Sequence, residues 1–250
     1  MDGPKHFTHG TLSPLMKSVA IFRHAPTEGP GYFATYLNRH NIPWRVIGVD
    51  IGEPVPADPR EFSGLVFMGG PMSVNDVTPW IAPVLKLIRD GVAADVPVLG
   101  HCLGGQLISK ALGGTVSRNS IKEIGWGDVS VVDTPEARDW FGHAAPAFTS
   151  FHWHGETFTL PPGAVRVLTN AYCENQAFVL GPHLGMQCHI EMTPEMIASW
   201  CESGAGEISR SRSPAVQSVA AIKEGGEQRL NRLHAVADGV YDRWTAGLKR

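Results

Sequence analysis

Several large functional classes leave no mark on this 250-residue chain. It has no Gly-x-Gly-x-x-Gly after a strand and no Gly-x-x-x-x-Gly-Lys-Ser/Thr. This argues against a dinucleotide site or a P-loop, so ATP activation is not expected within it. The four cysteines, Cys102, Cys173, Cys188 and Cys201, form no Cys-x-x-Cys pair, which speaks against a zinc ribbon and a disulfide framework. No apolar run reaches membrane-span length, and the start, Met1-Asp2-Gly3-Pro4-Lys5-His6, lacks the basic and apolar regions of a signal peptide. Lysine and arginine (21) nearly balance aspartate and glutamate (24) without forming a basic stripe, so there is no footprint for a phosphate backbone. A cytoplasmic enzyme is expected, binding neither membrane nor nucleic acid.

What is present begins with Gly100-His101-Cys102-Leu103-Gly104-Gly105-Gln106, set where the apolar run Val96-Pro97-Val98-Leu99 gives way to a helix. Gly-x-Cys-x-Gly at a strand-to-helix junction is the pattern of a nucleophile elbow, a turn so tight that a side chain two residues either side of the nucleophile would meet backbone. The helix starting at Leu103 aims unpaired N–H groups and its positive dipole end at the sulfur, favouring the reactive thiolate. A base is available in Leu184-Gly185-Met186-Gln187-Cys188-His189-Ile190-Glu191. On an extended segment His189 and Glu191 share a face, so the carboxylate holds the imidazole in one tautomer. Cys102, His189 and Glu191 therefore form a candidate triad.

Apolar runs alternate with helical stretches. Residues 18–23, 44–49, 65–68 and 96–99 read as strands, and 32–40 and 79–91 as helices. Further strands are expected over 115–118, 128–132, 148–152, 165–170, 177–180 and 183–188, with a helix start at Thr193-Pro194-Glu195. Buried strands alternating with helices imply a three-layer α/β sandwich with a mainly parallel central sheet. The tail places Val216, Val219 and Ala220, then Leu230, Leu233, Val236 and Val240, at helical spacing around Gly225-Gly226, which suggests an appended pair of helices. The expected organisation is an N-terminal extension (1–17), one catalytic domain (18–205) and a helical C-terminal extension (206–250).

Four segments, in order, resemble the class I (triad-type) glutamine amidotransferases, most closely the amidotransferase domain of GMP synthetase and its free-standing relatives. They are Phe67-Met68-Gly69-Gly70-Pro71-Met72-Ser73, similar to the family's glycine-glycine-proline loop; the elbow; His152-Trp153-His154-Gly155-Glu156-Thr157-Phe158, similar to its His-Gly substrate loop; and the His189/Glu191 pair. The likeness spans roughly residues 18 to 200. One departure is Ile190, where the family usually has the proline that stiffens this turn.

The resemblance implies a mechanism. Cys102 attacks the glutamine carboxamide, His189 passes a proton to the departing ammonia, and water hydrolyses the γ-glutamyl thioester. The backbone N–H groups of Leu103 and Gly70 are the implied oxyanion donors, each generally worth about 3 kcal/mol of barrier. Met72, Gln106, Trp153, His154 and Gly155 are implied to hold the substrate. No cofactor is expected. His152 and His154, with His101 and His189 as further candidates, lack the carboxylate and helical spacing of a zinc peptidase, so no metal is expected and these rings are read as hydrogen-bonded residues shaping the pocket. Three uses of the fold stay open: a glutaminase delivering ammonia to a separate ATP-dependent synthetase, a free-standing hydrolase of γ-glutamyl peptides or amides, and a non-catalytic binding module. The first is preferred.

Overall fold

A computed structural model describes residues 16–142 and 144–249, so the expected N-terminal extension lies almost wholly outside the described residues. The first half alternates strand and helix: β1 (Val19–Arg23), α1 (Gly31–Arg39), β2 (Trp44–Gly48), β3 (Gly64–Phe67), α2 (Ile81–Ala93), β4 (Val98–His101) and α3 (Leu103–Ala111). There follow β5 (Val116–Val131), α4 (Pro135–Phe141), β6 (Ala147–Phe158), β7 (Val165–Thr169), β8 (Ala177–Leu180) and β9 (His183–Met186). The remainder is α5 (Pro194–Ser203), α6 (Ala205–Arg210), β10 (Ala215–Val216), α7 (Val219–Lys223) and α8 (Gly226–Thr245).

Among the described residues ten strands join one sheet in the order β10-β5-β7-β8-β9-β4-β3-β1-β2, with β6 paired to β5. Strands β2, β1, β3, β4 and β9 run parallel, and β8, β7, β5 and β6 continue the sheet antiparallel. The central parallel strands β1, β3 and β4 are apolar but for Arg23 and His101 at their ends, because helices cover both faces, whereas the edge strand β2 exposes Arg45. Along β1 the period of two sends Ala20 and Phe22 to a core under α2 and α3, and Val19 and Ile21 to a second core shared with Phe33, Leu37, Tyr241 and Trp244. This is the expected three-layer α/β architecture. No helix among the described residues is long and apolar enough to cross a membrane.

Three elements differ from the sequence expectation. The strands expected over 115–118 and 128–132 fall, but for residues 115 and 132, within a single strand, β5, whose pairing with β6 shifts register between Arg118 and Glu123. Gly125, Gly127 and the charged residues around them interrupt the apolar alternation, which hides the strand from a periodicity reading. The expected loop 152–158 is strand too, the second half of β6. In the tail, Val216 lies in β10 rather than a helix, and the chain breaks between α7 and α8 at Gly225, whose φ is +62°. Helix α8 docks across the sheet onto α1, with Tyr32 Oη donating to Asp238 (2.8 Å) and Tyr36 Oη to Asp242 (2.6 Å).

Helix α3 presses directly on the ends of the parallel strands. A Cβ at Gly104 would run into the Phe67 carbonyl, and one at Gly105 into that of Met186. Gly104→Ala is therefore expected to cost about 3 kcal/mol in chemical denaturation. Gly226→Ala, with nothing within 4 Å of the added carbon, should change stability by less than about 1 kcal/mol.

Candidate active site

Cys102 sits between β4 and α3 with φ +51° and ψ −107°, a backbone conformation that a residue with a side chain rarely adopts. The surroundings enforce it. Its N–H donates to Met186 O (2.8 Å), and its carbonyl accepts from Gln106 N (3.0 Å), the first turn of α3. Gly100 cannot take a side chain because one would strike the Gly104 backbone. The thiol is mostly buried and accepts from Gln187 Nε2 at 3.5 Å, while Gln106 Nε2 donates to Gln187 Oε1 at 3.1 Å. Gln106 thus connects to the sulfur through Gln187.

His189 Nδ1 lies 2.6 Å from Glu191 Oε1, and both side chains are buried. With that nitrogen donating to the carboxylate, Nε2 is left without a hydrogen-bond partner. Burial alone would depress the His189 pKa, but the Glu191 charge, reinforced by Cys102, raises it well above the ordinary value. Burial would push Glu191 up, yet His101 and His189 hold it at about 2. The second imidazole, His101, stands 3.6 Å from Glu191 Oε2 and 3.4 Å from Tyr241 Oη of α8. Proline at position 190 is not needed for this pairing. Regular strand pairing ends at Met186, but His189 makes a two-way backbone bridge with Phe151 (2.8 and 3.3 Å), and Ile190 is fully buried in the core. On the far side, Tyr32 N donates to Glu191 O (2.8 Å), an approach that requires Gly31, since a Cβ there would overlap that oxygen.

Gly70 and Leu103 are neighbours: a Cβ on Gly70 would lie 2.6 Å from Leu103 Cδ2 and 2.7 Å from Met72 Sδ. The glycine-glycine turn is held from below by His24, whose Nδ1 is 2.9 Å from Met68 O. Burial keeps that ring neutral, its pKa lowered to about 4. Sequence reasoning did not single out His24.

A cavity of about 630 Å³ opens over these groups. Of the residues expected from sequence, Gly70, Met72, Cys102, Gln106, Trp153, His154, Gly155 and His189 line it, whereas Glu191 and Leu103 lie behind the lining. Sequence reasoning missed Glu28, Arg118, Lys122, Trp200 and Glu207, which also line it. The Trp200 ring stands edge-on to His189 at 4.9 Å between centroids. Its position on the buried face of α5 with Ile197 and Cys201 was the only available signal. Glu207 of α6, beyond the expected domain boundary, accepts from Trp153 Nε1 (2.9 Å) and pairs with Lys122. The four histidines considered together from sequence separate: His101 and His189 flank Glu191, while His152 and His154 face Glu123. Burial pushes Glu123 up, but the two rings and Asn170 bring it below its usual value.

Comparison with known proteins gives a consistent picture. The sequence profile of the family "Glutamine amidotransferase class-I" matches residues 35–199. A glutamine amidotransferase-like protein of Salmonella typhimurium, YfeJ, is 29% identical over 187 residues, covering 72% of this chain and 78% of its own length. A GMP synthase (glutamine-hydrolyzing) subunit from Sulfolobus acidocaldarius is 33% identical over 144 residues, covering 53% and 69%. Among solved structures, a glutamine amido transferase from Methylobacillus flagellatus superposes with TM-score 0.92 at 44% identity, covering 94% of this chain and 96% of that one. A glutamine amidotransferase from Thermotoga maritima gives 0.82 at 28%, covering 91% and 97%.

Glu28 supplies a pH test of the cavity. Burial raises its pKa from 4.5 to about 7, with the His189 charge opposing and that of Glu191 assisting. Folding therefore takes up a proton: the contribution is complete below the unfolded value and lost as pH rises through about 7. Glu28→Gln, neutral throughout, should gain stability relative to the parent by on the order of 1–2 kcal/mol between about pH 5 and pH 8, as read by urea unfolding. A difference independent of pH would place the carboxyl in free water.

Proposed function

The chain belongs to the class-I glutamine amidotransferase family, and from that premise we propose that it hydrolyses the side-chain amide of glutamine through a Cys102 thioester and delivers the ammonia to a separate ATP-dependent synthetase. The observation that carries this reading is one arrangement: a cysteine held at positive φ at a helix N-terminus beside an imidazole whose far nitrogen is fixed by an ionised carboxylate at 2.6 Å.

In this reading Cys102 Sγ adds to the amide carbon while its proton goes to His189 Nε2, the nitrogen left free by the Glu191 bond. The tetrahedral oxyanion is received by the N–H groups of Leu103 and Gly70, a role supported by the close approach of the Leu103 side chain to the Gly70 position. His189 returns its proton to the leaving nitrogen, ammonia departs, and the thioester forms. Water, deprotonated by the same nitrogen, then releases glutamate. Glu191 remains ionised throughout; it orients the ring and stabilises the imidazolium. The side chains of Met72 and Gln106 and the Trp153–Gly155 segment border the space for the amino-acid head.

Delivery to a synthetase is supported by the similarity to a GMP synthase subunit. A second reading, hydrolysis of γ-glutamyl peptides or amides by the chain alone, is favoured by one observation. The cavity of about 630 Å³ falls in the range that accepts ligands larger than one amino acid, and Arg118 and Lys122 reach its lining.

Cys102→Ala is expected to abolish release of ammonia or amine while leaving the far-ultraviolet circular dichroism unchanged. A diazo-ketone analogue of glutamine should label Cys102 alone by mass mapping. Burial pushes the Cys173 thiol to about 11 and that of Cys188 to about 12, and Cys201 is also raised, so a label on any of these would defeat the elbow assignment. Glu191→Gln should lower kcat by about 10²–10⁴-fold, less than His189→Ala; parental activity in Glu191→Gln would remove this residue from the mechanism. The isolated protein should hydrolyse glutamine slowly. Turnover of a γ-glutamyl peptide at roughly 1 to 1000 per second, with negligible glutaminase activity, would decide for the second reading.

A further inference from the structure

Behind the cavity wall the β5–β6 ribbon gathers a second set of chemically active side chains. In the antiparallel register Glu123 faces His154 and Gly125 faces His152. Residues two apart on a strand share a face, so the carboxylate and both imidazoles project from the same side of the ribbon. The opposite side carries Trp126 and Phe151 into the core, their rings edge to face at 5.1 Å. Glu123, His152 and His154 are all buried, and one ligand atom from each lies within 4.8 Å of the others.

The hydrogen bonds around the cluster settle how each ring is used. His152 Nε2 is 3.2 Å from Gly127 O and His154 Nδ1 is 3.0 Å from Glu156 O, so each ring donates its N–H outward to a backbone carbonyl. The inward nitrogens, His152 Nδ1 and His154 Nε2, are then lone pairs, and neither has a hydrogen-bond partner. They look toward a carboxylate, at 3.9 Å from Oε1 and 3.0 Å from Oε2 respectively. Three electron-pair donors facing one another in a buried space repel unless something positive stands between them. A proton on His154 would answer the shorter contact, but His152 Nδ1 at 3.9 Å would stay unpaired. An ion at the centre answers all three. Outward donation from ligating imidazoles to backbone carbonyls is also the arrangement that fixes tautomer and orientation in metal sites. Asn170 Nδ2 (2.6 Å) and Gln176 Nε2 (2.8 Å) orient the carboxylate in the same way.

We propose that Glu123, His152 and His154 bind a divalent transition-metal ion, zinc by the chemistry of two imidazoles and one carboxylate. The site is separate from Cys102 and takes no part in the thioester chemistry. A second cavity, of about 340 Å³ and bordered by Glu123 and His152, leaves room for water as a fourth ligand. The ion ties β5 to the part of β6 that forms the wall of the substrate cavity, since His154 also lines that cavity and Trp153 O lies 3.9 Å from Cys102 Sγ. It is thereby a positioning element for that wall.

The test is zinc binding by the full chain after chelator treatment, measured by competition with a chromophoric chelator. X-ray absorption of the zinc-loaded parent protein accompanies it. One ion per chain is expected, with two imidazoles and no sulfur in its coordination shell and a zinc-dependent rise in Tm. His152→Asn and Glu123→Gln, each checked for folding by circular dichroism, should bind at least about 100-fold more weakly and lose the Tm response. No binding at micromolar zinc, undiminished binding in a folded variant, or a thiolate in the shell would overturn the proposal. The absorption measurement decides the matter even if both variants fail to fold.

Discussion

A carboxylate with no accessible surface governs the organisation around the cavity. Isolated in a protein interior, Glu191 would shed its charge by taking up a proton, because desolvating an ion costs far more than protonating it. It stays ionised because His189 and His101 stand on either side and because burial alone does not decide a pKa when two imidazoles share the field. That arrangement draws in elements from the whole chain. His101 comes from the elbow, His189 from the segment after β9, and Tyr241, which meets His101, from the last helix. The backbone of Glu191 is gripped in turn by the first turn of α1. The charge that orients the imidazole is thus a product of the completed fold, with no local motif sufficient to create it.

The second constraint is steric. The positive φ of Cys102 is an unfavourable conformation for a residue with a side chain, of the order of 1–3 kcal/mol. It is maintained by contacts that only glycine allows: Gly100 against the α3 backbone, Gly104 against Phe67 and Gly105 against Met186. Packing helix onto strand ends this tightly holds the sulfur at the mouth of the helix. The strain is balanced by the two buried cores on either side of the sheet.

Legibility from sequence followed the range of the interaction. The central parallel strands could be read because burial on both faces makes them apolar nearly end to end, and the elbow because glycine spacing reports a backbone requirement directly. The pairing of His189 with Glu191 also follows from a local rule, two residues apart on extended chain. Pieces of the β5–β6 ribbon were legible, but its continuity escaped because its residues alternate for reasons other than a simple core face: Glu123, Gly125 and Gly127 stand where apolar residues would mark a strand. Glu28, His24 and Glu207 escaped for a different reason. Glu28 and Glu207 reach the cavity, and His24 the turn beneath it, from segments whose placement depends on tertiary contacts, and nothing in the neighbouring residues records them. Glu123 is similar, for its relation to His152 and His154 exists only once two strands distant in sequence have paired in one register.

Helix α8 has a consequence in time as well as space. Its bonds to α1 join residues 206 positions apart, Tyr32 with Asp238 and Tyr36 with Asp242, so the contact order of the sheet's covered face is high and docking must await synthesis of α8. During synthesis the face bearing Phe33, Val66 and Leu99 waits without the cover that Leu233, Val240 and Trp244 later provide. A growing chain therefore passes through a stage in which the elbow's local sequence is complete but its apolar underside is exposed, the kind of surface that chaperones hold and that aggregates when they do not.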